Sequence, residues 1–194
     1  MHHGRKFLGH HNCLFSEWIG KVTVRHDQVS SNRIECVPTF YLVNTHDVVI
    51  NCAGALQDGS NDSLKAVHYQ AIKAIVDACA LHETKLIQIS AVGAELDADT
   101  EFMRTKAMGD AYIRDSKIDY VIFRPGLVLA KNAYGGSALL RMLAAFPLIQ
   151  PIALSNTQIH STSIDDLSAA VHMAVKDIHK DGNTPHLFIT KIKL

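Results

Sequence analysis

From residue 47 onward, two rhythms of apolar and polar positions alternate along the chain. Residues 47–54 read Asp-Val-Val-Ile-Asn-Cys-Ala-Gly, and three branched apolar residues in succession suit a strand buried on both faces of a parallel sheet. A polar loop over 57–62 follows, in which Ser60, Asn61 or Asp62 can N-cap a helix. Leu64, Val67, Ala71, Ile72, Ile75, Val76 and Cys79 then form the i, i+3, i+4 stripe of a helix packed on a sheet. The same pattern predicts a strand over 86–90 with 91–94 as its exit loop, a helix over 100–116 and a strand over 119–123 ended by Arg-Pro-Gly. A helix over 137–145, an extended piece over 159–163, a helix from Asp165 to about Lys176 and a last strand over 187–190 complete the run. Strands alternating with helices of this length demand right-handed crossovers. The expected fold class is therefore α/β, a doubly wound, mostly parallel sheet with helices on both faces.

The first 46 residues are harder to read. Phe7-Leu8-Gly9 precedes a segment to Trp18 that suits a short helix ending at Gly20. Residues 21–25 alternate and are β-branched, which predicts a strand, and 33–37 is a weaker strand closed by Pro38. No linker, repeat or low-complexity segment interrupts the chain, so residues 1–194 are expected to form one domain.

Composition narrows the class. A formal charge of zero and a pI near 7.2 argue against electrostatic capture of nucleic acid or an anionic membrane. The four cysteines are scattered without a Cys-x-x-Cys pair, as expected of thiols in a reducing compartment. The twelve histidines include no His-x-x-x-His or Cys/His quartet, so no metal site is expected. The start lacks a signal-peptide core, and the apolar run 138–154 is broken by Arg141, Pro147, Gln150 and Pro151. A cytoplasmic protein without a membrane span is expected.

In an open parallel sheet, ligands bind outside the carboxyl ends of the strands. Three such ends carry small or turn-forming residues here: Cys52-Ala53-Gly54, Ser90-Ala91-Val92-Gly93 and Pro125-Gly126-Leu127-Val128. A lysine-bearing helix lies between the second and third. Together they point to a nucleotide-type cofactor.

The residues that carry this pattern also carry a resemblance. Val-Ile-Asn-Cys-Ala-Gly (49–54), Ile-Ser-Ala-Val-Gly-Ala (89–94), Thr-Lys-Ala-x-Gly-Asp (105–110) and Phe-Arg-Pro-Gly-Leu-Val (123–128) resemble the extended and atypical short-chain dehydrogenases/reductases. Nucleoside-diphosphate-sugar-epimerase-like NAD(P)-binding proteins are the most similar branch, and the match spans about 47–175. It implies a Rossmann-like fold, NAD(P) as cofactor and an unidentified small carbonyl or sugar-nucleotide substrate. By residue, it implies that Ala53 and Gly54 lie beside the adenine ribose and that Ser90 and Ala91 border the nicotinamide ribose. Lys106 would bind the ribose hydroxyls and lower the pKa of a neighbouring phenol, with Lys106 and Ser90 as catalytic residues. Pro125, Gly126 and Val128 would cover the nicotinamide. The ordinary alternatives are a solvated helix lysine at 106 and a strand-end serine satisfying backbone groups at 90. Asp165 reads as a helix N-cap rather than a catalytic acid.

Two departures from the resemblance matter. The tyrosine expected one helical turn before the lysine is Phe102, which cannot exchange a proton, and Tyr112 points elsewhere. The family's first strand and its Gly-x-x-Gly-x-x-Gly fingerprint are missing or degenerate: aligning Gly9 as the third glycine puts Lys6 and His3 at the other two. That register places Arg25 where a 2′-phosphate contact sits, which leans toward NADP. Either the chain is an N-terminally truncated or decayed product, the favoured explanation, or Arg5 and Lys6 hold phosphates by charge. Three functions remain: an NAD(P)-dependent oxidoreductase or epimerase, a non-catalytic dinucleotide-binding or complex-supporting module, and an inactive remnant prone to dimerise through an open sheet edge.

Overall fold

The computed structural model describes residues 7–10, 22–25, 43, 46–58, 63–130, 142, 144–145, 160–176 and 186–188. In chain order the strands are β1 (Phe7–His10), β2 (Val22–Arg25), β3 (Val48–Asn51), β4 (Lys85–Ile89), β5 (Tyr120–Phe123), β6 (Leu127–Leu129), β7 (Ser161–Ser163) and β8 (His186–Phe188). Helix α1 (Ala71–His82) continues a π-helical segment, Ala66–Gln70, and α2 (Glu101–Asp115) and α3 (Ile164–Lys176) follow. Six strands form one sheet in the order β2-β1-β3-β4-β5-β8, and every pairing in it is parallel.

The two-residue period of β3 to β5 divides the core between the faces of this sheet. Val48, Ile50, Ile87, Val121 and Phe123 point to one side and pack on Leu167, Val171, Ala174 and Val175 of α3. Val49, Leu86, Tyr120 and Ile122 point to the other and meet Ile72, Val76 and Cys79 of α1 and Ile113 of α2. Each fully buried branched side chain contributes about 1.5–3 kcal/mol. Burial on both faces explains why these strands read as continuous apolar runs rather than alternating ones.

Several expectations change in detail. The place of the expected first strand, between β2 and β3, holds the four-residue β1, paired in parallel with both neighbours, so the strand is short rather than missing. Gly9 lies inside it, in register with Val24 and Ile50. It is therefore not the third glycine of a loop beyond the strand, and residues 11–19, which follow, contain no glycine. Arg25 does end β2, beside His10. Helix α2 fits its expected span, with Thr100 as N-cap accepting the Met103 N–H at 3.3 Å. Asp165 is not the cap of α3: it sits in the first turn, and its N–H donates to the Ser163 hydroxyl at 3.2 Å. The strand over 33–37, the helix before Gly20, the caps at 60–62 and most of the helix over 137–145 lie outside the described residues. Among those described, no helix is long and apolar enough to cross a membrane.

Candidate functional site

Asn51 shapes the exit of β3. Its side-chain N–H donates to the Gln88 carboxamide at 2.8 Å across the buried pair of strands, and its oxygen accepts the Ala53 N–H at 3.1 Å. This fixes the turn that carries Cys52, Ala53 and Gly54. The neighbouring exits run on in step, with Ser90 N–H donating to Phe123 O at 2.8 Å and Val92 N–H to Pro125 O at 3.0 Å. Ser90 and Ala91 thus stand beside Arg124 and Pro125 at the carboxyl edge.

One face of α2 closes over these exits. Phe102, Thr105, Lys106, Gly109 and Asp110 recur at helical spacing. The helix approaches the π segment so tightly that a Cβ on Gly109 would be driven into the backbone carbonyl of His68. Lys106 is 7% exposed, which rules out a solvated helix lysine. Its ammonium donates to Ile89 O at 3.5 Å and stands 5.5 Å from the centre of the Phe102 ring. Burial lowers its pKa, while Asp110 and Cys52 pull it back up. An ammonium carries three donors, and its one hydrogen bond among the described residues is long. Gly54 leaves the adjoining space open, since a Cβ there would sit 3.8 Å from Lys106 Nζ and 3.7 Å from His68 Nε2. Residues 11–21, which follow β1, lie outside the described residues.

Ser90 does not satisfy backbone groups with its hydroxyl; it donates to Asp110 Oδ2 at 2.8 Å. The same oxygen accepts from Arg124 Nε and Nη2, each at 2.9 Å, while Arg124 Nη1 reaches Glu95 at 3.1 Å. Asp110 is fully buried, and burial pushes its carboxyl up against the pull of Ser90, Arg124 and Lys106. This network anchors α2 to the ends of β4 and β5 and turns the serine hydroxyl inward.

The remaining expected positions are mixed. Val128 lies in β6, which pairs with β7, so the Pro125–Val128 segment is a loop only in its first half. Gly126 is needed where a Cβ would meet the His160 carbonyl, the acceptor of the Leu127 N–H at 2.7 Å. Arg25 and Gly9 belong to strands farther along the sheet. Tyr112 does point away: its hydroxyl donates to Asp77 at 2.8 Å and accepts from Lys73 at 3.0 Å on the outer side of α1.

Sequence reasoning assigned no role to His68, Thr105, Asp110 or Arg124. His68 had a signal: it falls at i+4 from Leu64 and i−4 from Ile72, a polar residue inside the apolar stripe. Asp110 stands one turn beyond Lys106 on the same face, and a buried carboxylate there demands a cation.

Among curated proteins, none matches the sequence. Solved structures do. The chain superposes on the WbmG enzyme of Bordetella bronchiseptica in complex with NAD and UDP with a TM-score of 0.65 and 15% identity, covering 96% of this chain and 64% of that one. It thus spans less than two thirds of that enzyme. dTDP-4-dehydrorhamnose reductase from Bacillus anthracis in complex with NADP gives 0.71 at 12% identity, covering 97% and 75%. A tyrosine-to-phenylalanine mutant of UDP-glucuronic acid 4-epimerase from Bacillus cereus, in complex with NAD and a fluorinated sugar nucleotide, gives 0.70 at 17% identity, covering 97% and 78%. At these identities the likeness establishes the Rossmann-like fold. The NAD(P)H-binding family model matches residues 41–146. That match covers more than half of the sequence and takes in all three strand exits, the Lys106 helix and the Asp110–Arg124 network, so the chain belongs to the NAD(P)H-binding family and its cofactor is NAD(P).

Proposed function

We propose that this chain holds NAD(P) without tyrosine-driven hydride exchange, as a dinucleotide-binding module of the short-chain dehydrogenase/reductase type. The observation that carries the proposal is the pairing of a buried Lys106 ammonium, whose one hydrogen bond among the described residues is the 3.5 Å one to Ile89 O, with a phenyl ring at Phe102, 5.5 Å away. The cation for the ribose is retained, and the proton-transfer group beside it is not. Ser90 adds to this, because its hydroxyl is committed to Asp110 rather than to the crevice. Bound NAD(P)H would supply a hydride; among the described residues, the position one turn before Lys106 holds a phenyl ring and no acid to accompany one. A tyrosine-to-phenylalanine mutant of the Bacillus cereus epimerase still holds NAD in its crystal, so in that protein a phenylalanine in place of a tyrosine is compatible with bound cofactor. Arg25 at the end of β2 favours NADPH over NADH.

A second reading, an oxidoreductase or epimerase acting on a small carbonyl or a sugar nucleotide, is favoured by the kind of enzyme found among the structural neighbours. Turnover separates the two. With NADPH and a panel of aldehydes, ketones and nucleoside-diphosphate sugars, the unsubstituted chain is expected to bind cofactor and show no hydride transfer. Phe102→Tyr is expected to introduce slow transfer, because general acid catalysis contributes about 10²–10⁴-fold. Lys106-dependent turnover by the unsubstituted chain would establish the second reading instead.

A further inference from the structure

We infer that His68 is a positioning residue of the cofactor site, a neutral imidazole whose bare Nε2 holds the Ala55 backbone, and with it Gly54, against Lys106. This rests on the proposed role of the Gly54–Lys106 space in holding NAD(P). The side chain is 3% exposed and lies on the π segment that Gly109 allows α2 to approach. Its Nε2 accepts the Ala55 N–H at 3.1 Å, and its Nδ1 lies 3.0 Å from the Thr105 hydroxyl.

The proton's place follows from the neighbours. The Thr105 hydroxyl turns back to the carbonyls of Glu101, at 2.9 Å, and Phe102, at 3.1 Å, so its hydrogen is used there. It must then accept from the ring, which puts the ring proton on Nδ1 and leaves Nε2 free to accept. The Phe102 ring meets the imidazole edge-on, 5.3 Å between centres, and closes the other side.

No other arrangement of the ring serves both contacts. An added proton on Nε2 would oppose the Ala55 N–H and set a second cation beside Lys106. Burial and Lys106 accordingly hold the His68 pKa down to about 4. The charged group that acts on it is Lys106, from α2. Cys52, from the exit loop, acts on Lys106. On the same loop, Asp58 is engaged with the Leu64 N–H at 2.7 Å. Asp110, farther along α2, is engaged with Ser90 and Arg124.

The two nitrogens can be tested apart. A glutamine carboxamide reaches the place of Nε2, whereas an asparagine carboxamide reaches only that of Nδ1. In calorimetric titrations of the full chain with NADPH, His68→Ala and His68→Asn are expected to weaken binding at least about tenfold, the loss of one well-made hydrogen bond. His68→Gln is expected to stay within about threefold of the unsubstituted chain. The ¹⁵N spectrum of the unsubstituted protein at pH 6 is expected to show His68 as the Nδ1–H form. Equal affinities for His68→Gln and His68→Asn, or an Nε2–H ring, would overturn the inference while leaving cofactor binding standing. Failure of the unsubstituted chain to bind NADPH or NADH would instead overturn the cofactor reading and the positioning role with it.

Discussion

Lys106→Met is expected to weaken NAD(P)H binding about 10- to 100-fold while leaving the melting temperature unchanged or raising it. The two effects have opposite signs because the ammonium serves the ligand rather than the fold. At 7% exposure, with one 3.5 Å contact to Ile89 O, it bears a desolvation cost that the described partners do not offset, and its pKa is lowered for that reason. Methionine keeps the apolar stem and removes the charge, so the unliganded protein loses a burden. The cofactor loses charge-assisted hydrogen bonds worth about 1.5–3 kcal/mol. A thermal melt and a titration on the same preparation read both signs. A lowered melting temperature with unchanged affinity would make Lys106 a structural lysine.

Gly109→Ala is expected to lower the melting temperature by about 4–8 °C. Helix propensity alone points the other way, since alanine is favoured over glycine by about 1 kcal/mol in a helix interior. The added methyl has no room: it is driven into the His68 carbonyl and comes within 3.4 Å of Ile72 Cγ1. Backbone yields less readily than a side-chain tip, so relief requires α2 to move off the π segment. Overpacking of this kind costs about 3 kcal/mol, and the net loss of about 2 kcal/mol corresponds to the stated shift for a domain of this size. The same movement separates Thr105 from His68 and draws Lys106 away from Gly54, so cofactor affinity should fall with stability. A raised melting temperature would mean that the tight crossing does not exist in solution.

The strand core was legible because β3, β4 and β5 are buried on both faces, and Val-Val-Ile, Leu-Ile and Val-Ile-Phe carry no polar residue that another element could claim. Helix α2 was legible almost to the residue, because Thr100 caps its start and Ser116 closes its end. The extended piece at β7 was legible, but β6 and its pairing with β7 were not. Its stability depends on the fit of Gly126 under the His160 carbonyl, a contact thirty-four residues apart in sequence, and neither strand is longer than three residues. The Gly9 register failed for a related reason: glycine was taken as loop punctuation, while pairing with β2 and β3 placed it within a strand.

Within the site, residue types were legible where the chemistry is local and not where partners are distant. Phe102 one turn before Lys106 could be read directly from helical spacing. The inward turn of Ser90 could not, because it is decided by Asp110, twenty residues away, and by the Arg124 guanidinium that shares its oxygen. His68 is the clearest case. Spacing marked it as a misfit in an apolar stripe, yet its role emerges only when the π segment brings it to both Ala55 and Thr105.

Calorimetric titration of the unsubstituted chain with NADPH and NADH tests the central claim most directly. Saturable binding of one cofactor per chain below about 1 mM, tighter for NADPH and sensitive to Lys106→Met, is the expected result. No saturable binding of either cofactor up to about 1 mM, a free energy weaker than about −4 kcal/mol, would contradict it.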